Sequence, residues 1–150
     1  MKPKIRLTKI FEFEMAHALH QYDGACKNIH GHSYRLEVTV TGTPIDDENS
    51  PKNGMLMDFS ELKTLISEQI VSRMDHALVL RQTTDSELLA ALRQHYEKII
   101  LTPYQPTIEN MLCDFAERLM PKLPQSVSLY ALKLQETPTS FGIWCATDQD

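Results

Sequence analysis

Apolar and polar residues alternate along two segments in the first third of the chain. Apolar side chains occupy the odd-numbered positions of residues 5–15, except at Lys9 and Ile10, and the even-numbered positions of residues 34–40. Successive side chains of a β-strand point to opposite faces, so this alternation predicts two strands that are each half buried. We therefore predict a neighbouring antiparallel pair with one face against a core, and a bulge at Lys9 and Ile10.

Helical spacing of apolar residues follows in the middle of the chain. It runs over residues 62–74 and again over 108–119, where Pro121 is expected to end the helix. A further helix is predicted over 85–96, with Thr84 and Glu87 at capping-box spacing. Short strands are predicted over 98–102, 127–136 and 141–145. Strands grouped at both ends with helices between them indicate the α+β class.

Length and composition are those of one globular domain spanning residues 1–150. The chain is 42% hydrophobic and 23% charged, ordinary values for a protein with its own core. It has no apolar run approaching the roughly 18 residues of a membrane span, and no apolar stretch typical of a secretory signal. Its three cysteines favour reduced thiols in the cytoplasm. A net charge of −5 argues against a general nucleic-acid surface, while a local basic pocket for an anionic substrate is allowed.

Three histidines continue the apolar faces of the first two predicted strands. His17 shares the parity of the first face, and His30 and His32 share that of the second. An unsatisfied buried polar group costs about 1–3 kcal/mol, so converging imidazoles need a partner. A zinc ion bound by three imidazole nitrogens would supply it and keep one coordination position open, which is typical of a catalytic site. The alternative is that each histidine is hydrogen-bonded separately at a strand end.

Cys26 lies in the loop before His30 and is followed by Lys27. A nearby cation or metal would lower the pKa of its thiol and make it reactive. It could also be a small buried hydrophobic residue, or a fourth zinc ligand that closes the site and makes it structural.

Two further positions carry titratable groups of interest. Asp75 and His76 end the first predicted helix, and a carboxylate beside an imidazole suits proton transfer, although an ordinary helix end is the simpler interpretation. Glu136 shares the parity of the apolar residues of its strand. A carboxylate on that face needs a donor, either a ligand with a guanidine-like N–H edge or a buried arginine.

Six segments resemble motifs of one known family, the 6-pyruvoyl-tetrahydropterin and 6-carboxytetrahydropterin synthases. They occur in the family's order and run through nearly the whole chain, and the most distinctive is Cys-x-x-x-His-Gly-His followed by a strand. The segments are FEMAH (13–17), CKNIHGHSY (26–34), GMLMDF (54–59), DH (75–76), PTIEN (106–110) and QET (135–137).

The resemblance implies a tunnelling fold: an antiparallel four-stranded sheet with helices packed on one side. Such chains assemble into a barrel-like homo-oligomer, usually a hexamer, with active sites between subunits. The resemblance also implies that Cys26 is the general acid/base and that Asp75 and His76 are its relay partners. The zinc ligands that it implies are His17, His30 and His32.

The resemblance further implies a pterin substrate, 7,8-dihydroneopterin triphosphate. Glu136 would anchor the pterin ring, and Thr107 and Glu109 would line its pocket. Zinc acting as a Lewis acid would acidify the C–H bonds next to oxygen. The connection from His76 to Pro106 is long for the family and is expected to carry an extra helix.

Within this family we expect a zinc-dependent lyase that forms 6-carboxytetrahydropterin and releases acetaldehyde and triphosphate, as in queuosine-type deazapurine synthesis. A compact chain and a short loop before Cys26 favour this branch. The alternatives are the 6-pyruvoyl branch, which eliminates triphosphate without cleaving the side chain, a non-catalytic pterin- or metal-binding module, and a structural zinc protein. The intact Cys26, Asp75 and His76 favour an enzyme.

Overall fold

Six strands form a single sheet in the computed structural model, which describes residues 2–150. The strands are β1 (Ile5–His17), β2 (His30–Gly42), β3 (Ala77–Arg81), β4 (Ile99–Thr102), β5 (Val127–Thr137) and β6 (Ser140–Cys145). Their order across the sheet is β4-β3-β1-β2-β5-β6.

The helices lie between β2 and β5 in the chain. They are α1 (Phe59–Ile66), α2 (Ser72–Met74), α3 (Ser86–His95) and α4 (Ile108–Leu119). A π-helical turn, Ser67–Val71, joins α1 to α2, and short 3₁₀ turns occur at Ala25–Lys27, Met120–Lys122 and Ala146–Asp148. Among the described residues, each helix is too short or too polar to cross a bilayer.

The sheet is mixed, not the four-stranded antiparallel sheet that we predicted. Strands β1, β2, β5 and β6 form its antiparallel part, and β3 and β4 add two parallel strands beside β1. We did not predict β3 because it follows the helix directly and lacks alternation. Its sequence, Ala-Leu-Val-Leu-Arg, is an apolar run, as parallel strands commonly show.

The predicted bulge in β1 is wrong. Pairing of β1 with β2 continues without a break through Lys9 and Ile10, and the irregularity lies instead between β2 and β5, at Thr39 and Val40. Side chains therefore still alternate between the two faces of β1, but at Lys9 and Ile10 the polar residue lies on the inner face and the apolar residue on the outer face. Ile10 points outward and is 46% exposed, while the Lys9 ammonium lies 5.9 Å from the centroid of the Phe59 ring.

The core fills the space between one face of the sheet and helices α1 and α4. Helix α4 packs against β5 and β6, and α1 packs against β1. The apolar stripe of α4 supplies five buried residues, and β2 supplies four on alternate positions. These residues are Met111, Leu112, Phe115, Ala116 and Leu119 from the helix, and Tyr34, Leu36, Val38 and Val40 from the strand.

The cap of α3 differs from our prediction by one residue. Asp85 is the N-cap, and its carboxylate accepts a hydrogen bond from the Leu88 N–H at 2.9 Å. Thr84 instead donates its hydroxyl to the Arg81 carbonyl. The helix itself spans Ser86–His95, in agreement with the predicted range.

The turn between α2 and β3 is bound tightly to β1. The Asp75 carboxylate accepts the Glu14 N–H at 2.9 Å, and the His76 N–H donates to the Glu14 carbonyl at 2.6 Å. His76 has a left-handed backbone, with φ 61°. The Lys98 ammonium donates to the carbonyls of Ser72 and Asp75, so it caps the end of the helix.

Removing the side chain of Leu62 tests the core. Leu62 is 1% exposed on α1, so Leu62→Ala should lower the free energy of unfolding by about 2–5 kcal/mol in urea titrations. Leu88, 47% exposed on α3, is the matched control, and Leu88→Ala should cost less than about 1 kcal/mol. Equal losses in the two variants would contradict this packing.

Asp75 should stabilise the fold only at pH values at which its carboxyl group is ionised. The hydrogen bond from Glu14 holds the pKa of this carboxyl below its ordinary value of 3.8, so the stabilisation is present above about pH 4 and is lost as the pH falls through the lowered pKa. Asp75→Asn keeps an acceptor oxygen but loses the charge. Because the side chain is 40% exposed, the variant should be less stable at pH 7 by under about 1 kcal/mol.

Urea unfolding of the EDTA-treated wild type and Asp75→Asn at several pH values measures this difference. It should shrink steadily below about pH 4. A difference that stays constant between pH 7 and about pH 3 would show that the lowered pKa has no part in folding stability.

Candidate metal centre and active site

Three imidazoles meet where β1 ends and β2 begins. His17 is the last residue of β1 and lies directly opposite His30, the first residue of β2, while His32 lies opposite Met15. One ligand nitrogen from each of the three rings lies within 4.8 Å of the others. His17 is only 3% exposed, whereas His30 and His32 are half buried.

Backbone carbonyls determine which nitrogen of two rings points inward. His17 Nδ1 lies 2.7 Å from the Pro106 oxygen, and His30 Nδ1 lies 2.7 Å from the Asn28 oxygen. A carbonyl only accepts, so both Nδ1 atoms carry the proton and donate it. In the neutral rings both Nε2 atoms then present lone pairs. Histidines that bind a metal through one ring nitrogen commonly donate the other ring N–H to a carbonyl or carboxylate in this way.

The two Nε2 atoms of His17 and His30 face each other at 3.1 Å. Two lone pairs at this distance repel, and a cation or a proton between them relieves the repulsion. A proton on one ring could bridge this pair, but burial lowers the pKa of His17 and disfavours its charged form. Two nitrogens bound tetrahedrally at about 2.0–2.1 Å from a zinc ion would be about 3.3 Å apart. The donor set therefore fits a divalent metal ion.

Glu136, which is on β5, lies beside the three histidines. Its Oε2 is 4.0 Å from His32 Nε2, and its Oε1 accepts a hydrogen bond from the Tyr34 hydroxyl at 3.2 Å. Burial, together with the Glu136 charge, raises the pKa of Tyr34 well above its ordinary value, so the hydroxyl remains a donor. The partners of this carboxylate in the described chain are thus Tyr34 and His32 rather than a buried arginine.

Cys26 is half buried in the 3₁₀ turn Ala25–Lys27, and its sulfur is a free thiol. The Leu19 N–H donates to the Cys26 carbonyl at 2.9 Å, which closes the loop between β1 and β2. The group of ligand atoms within 4.8 Å of one another contains the three histidines and not Cys26. The geometry therefore favours three protein ligands over a closed, four-ligand structural site.

Asp75 and His76 lie outside the histidine cluster, in the turn between α2 and β3. The Asp75 carboxylate is 3.1 Å from His76 Nδ1, and the His76 side chain is 77% exposed. They do not hydrogen-bond or ion-pair with Cys26 in the described part of the chain. His76 and His32 both line a groove of about 920 Å³ that is bordered by α3. One chain thus brings the three histidines and Glu136 together but does not join the Asp75–His76 pair to the thiol.

The two remaining predicted residues lie at the start of α4. Thr107 is its N-cap and accepts the Asn110 N–H at 3.3 Å, and Glu109 is exposed in its first turn. Sequence reasoning missed the carbonyls of Pro106 and Asn28 because any residue carries a carbonyl. Tyr34 could have been found, since it shares the parity of His32 on β2.

Comparison with known proteins agrees with this geometry. A sequence model described as 6-pyruvoyl tetrahydropterin synthase matches residues 6–145. A Haemophilus influenzae protein named 6-carboxy-5,6,7,8-tetrahydropterin synthase is 36% identical over 138 residues, covering 91% of this chain and 95% of that protein. A Rickettsia bellii protein of the same name is 31% identical over 140 residues, covering 91% and 97%.

Solved structures share the fold. An uncharacterised Wolinella succinogenes protein gives a TM-score of 0.72 at 17% identity, covering 97% of this chain and 99% of its own. The Caenorhabditis elegans 6-pyruvoyl tetrahydropterin synthase gives 0.67 at 24% identity, covering 97% of both chains. The sheet, the converging histidines and these matches lead to one conclusion: the chain belongs to the 6-pyruvoyl tetrahydropterin synthase family.

Proposed function

We propose that this protein is a zinc-dependent lyase that converts 7,8-dihydroneopterin triphosphate to 6-carboxytetrahydropterin, releasing acetaldehyde and triphosphate. The observation that carries the proposal is the set of three converging imidazoles, two of them with Nε2 directed inward by backbone carbonyls, beside the carboxylate of Glu136. This arrangement offers a metal site and, beside it, an anchor for a nitrogen-rich ring.

The zinc ligands in this proposal are His17, His30 and His32. Supporting this choice, a donor set of neutral imidazoles suits zinc well. When bound, zinc would act as a Lewis acid that polarises a substrate oxygen and makes the adjacent C–H bonds more acidic. Because Cys26 lies outside the ligand group, the metal would keep room for the substrate.

Glu136 holds the pterin ring in this proposal. A carboxylate offers about four lone-pair positions, so Oε1 can accept from Tyr34 and still share in a two-point contact with an N–H edge. The protonated Tyr34 keeps this carboxylate oriented. We include Thr107 and Glu109 as residues at the rim of the same pocket, since they follow Pro106, whose carbonyl holds His17.

Cys26 is the proposed general acid/base, and Asp75 and His76 are its relay partners. Because the pair does not contact Cys26 within one chain, we place the complete active site between subunits of a barrel-like homo-oligomer, a hexamer. A neighbouring copy would then supply the Asp75–His76 pair. The exposed His76 side chain, already hydrogen-bonded to Asp75, is free to meet a partner.

The names of the relatives support the carboxy branch over the pyruvoyl branch. Relatives named 6-carboxytetrahydropterin synthase are 36% and 31% identical to this chain, whereas the 6-pyruvoyl enzyme of known structure is 24% identical. The three free thiols agree with a reducing compartment, and we place the protein in the cytoplasm.

Metal binding should depend on the histidine cluster. The wild type should bind one zinc ion per chain by atomic emission, and zinc should raise its Tm, because a ligand held only by the folded state stabilises it. His30→Gln should lose most of the metal and of this shift. His95→Gln, on exposed α3, is the control and should keep both. Equal metal contents in the two variants would contradict the assigned ligands.

Product analysis tests the reaction. Incubation of the zinc-loaded protein with 7,8-dihydroneopterin triphosphate should give 6-carboxytetrahydropterin by mass, with acetaldehyde and triphosphate in equal amounts. Triphosphate release without acetaldehyde would instead support the 6-pyruvoyl branch. Substrate binding without any product would support a non-catalytic pterin-binding module.

Cys26→Ser should lower kcat by about 10²–10⁴-fold, the usual contribution of a positioned acid/base, and leave the zinc content unchanged. Cys113→Ser is the matched control, since Cys113 is exposed on α4, and it should keep full turnover. Full activity in Cys26→Ser would remove the thiol from the mechanism. A loss of zinc from this variant would support the four-ligand structural site.

A further inference from the structure

We propose that Gln105 is a positioning residue that holds the loop carrying Cys26 against the metal centre. The loop in question, called here the thiol loop, comprises residues 18–29 between β1 and β2. The inference deepens the proposed function and rests on it in one respect, the participation of Cys26 in turnover.

The carboxamide of Gln105 makes two hydrogen bonds to the backbone of one loop residue. Its Oε1 accepts the His20 N–H at 3.1 Å, and its Nε2 donates to the His20 carbonyl at 2.7 Å. The side chain thus pairs with His20 as a neighbouring strand would, using a donor and an acceptor at once. Only glutamine and asparagine carry both groups in this planar arrangement, and asparagine is one methylene shorter.

The contact reaches Cys26 through the backbone of the thiol loop. Leu19, next to His20, donates its N–H to the Cys26 carbonyl at 2.9 Å and accepts the Tyr22 N–H at 3.2 Å. The thiol-bearing turn is therefore one peptide unit and one hydrogen bond away from the residue that Gln105 holds.

Apart from its own backbone hydrogen bonds and the Asn28 carbonyl that accepts the His30 Nδ1–H, the thiol loop has few contacts that fix it in the described chain. Its only regular element is the 3₁₀ turn Ala25–Lys27, which buries no residue. Of its large apolar side chains, Tyr22 and Ile29 are exposed and Leu19 is half buried, and Gln21 has a left-handed backbone with φ 61°. With so little apolar anchoring, a loop of this kind opens locally at low cost unless polar contacts hold it.

Gln105 itself is fixed at the start of α4. Its carbonyl accepts the Thr107 N–H at 2.7 Å and the Asn110 side-chain N–H at 3.0 Å. The next residue, Pro106, accepts the His17 Nδ1–H. Two adjacent residues thus hold the two halves of the site, since Pro106 orients a metal ligand by its backbone and Gln105 holds the thiol loop by its side chain.

These two roles are separable by mutation. Gln105→Met removes both side-chain hydrogen bonds at nearly constant size, and it leaves the Pro106 carbonyl, the three histidines and Glu136 in place. The variant should therefore keep its zinc and its KM but should lose control of the position of Cys26. Loss of one to two hydrogen bonds corresponds to about a 5–30-fold change in the population of an open loop.

The test measures alkylation of Cys26 by iodoacetamide in zinc-loaded protein carrying Cys113→Ser and Cys145→Ser, so that one thiol remains. Gln105→Met should be alkylated about 5–30-fold faster than this background, with kcat reduced by a similar factor, KM unchanged and one zinc ion per chain. Gln82→Met, which changes an exposed glutamine at the end of β3, is the matched control and should leave alkylation and kcat unchanged.

An alkylation rate that does not change in Gln105→Met, with zinc retained, would overturn the inference. The inference would also be overturned if Gln105→Met lost zinc and free energy of unfolding in urea to an extent that explains its faster alkylation and lower kcat. Such a result would show that Gln105 has a general structural role. Gln105→Glu is a second test variant, since it keeps the acceptor for the His20 N–H but loses the donor to the His20 carbonyl. We expect Cys26 to be alkylated faster in this variant than in the background protein.

Alkylation does not depend on catalysis, so the two proposals can fail separately. Faster alkylation in a protein whose wild type forms no product would leave the role of Gln105 standing and would contradict the proposed function. An active wild type in which Gln105→Met alters neither alkylation nor kcat would contradict the inference alone.

Discussion

The hydrogen bonds from two histidine Nδ1 atoms to backbone carbonyls are the interactions on which the site depends. They fix the tautomers of His17 and His30, and the geometry then leaves two Nε2 lone pairs facing each other at 3.1 Å. Lone pairs at that distance repel, and burial lowers the pKa of His17 and so disfavours a bridging proton on that ring. The protein thus holds in its folded form a repulsion that a metal ion relieves.

The fold serves this arrangement by bringing distant segments to one end of the sheet. Antiparallel pairing of β1 and β2 sets His17 opposite His30, and β5 adds Glu136 on the far side of β2. The start of α4 supplies the Pro106 carbonyl and the Gln105 side chain. The turn between α2 and β3 holds Asp75 and His76 outside the histidine cluster, where they make no hydrogen bond to the thiol within the described chain.

Much of the fold could be predicted from the sequence because alternation and helical spacing are local signals. The convergence of the histidines followed from parity on β1 and β2, since residues of one parity share a face of the sheet. Strand β3 was missed because a short apolar run after a helix has no period of its own. The bulge was misplaced because Lys9 and Ile10 interrupt the chemistry of β1 but not its backbone pairing.

The contacts that orient the site could not be predicted. The residues of the Gln105–His20 contact lie 85 positions apart in the sequence. The carbonyls of Pro106 and Asn28, which accept from the two imidazoles, belong to backbone that any sequence would provide. Such partners become visible only once the chain is folded. The family motifs imply which side chains meet, whereas the structure assigns which nitrogen each of these two rings presents.

X-ray absorption spectroscopy at the zinc edge of the loaded protein tests the central claim most directly. We predict three imidazole nitrogens at about 2.0–2.1 Å, the multiple-scattering pattern of histidine, and one further light atom. A sulfur scatterer at about 2.3 Å would show that Cys26 binds the metal, and a shell without imidazole scattering would contradict the account altogether.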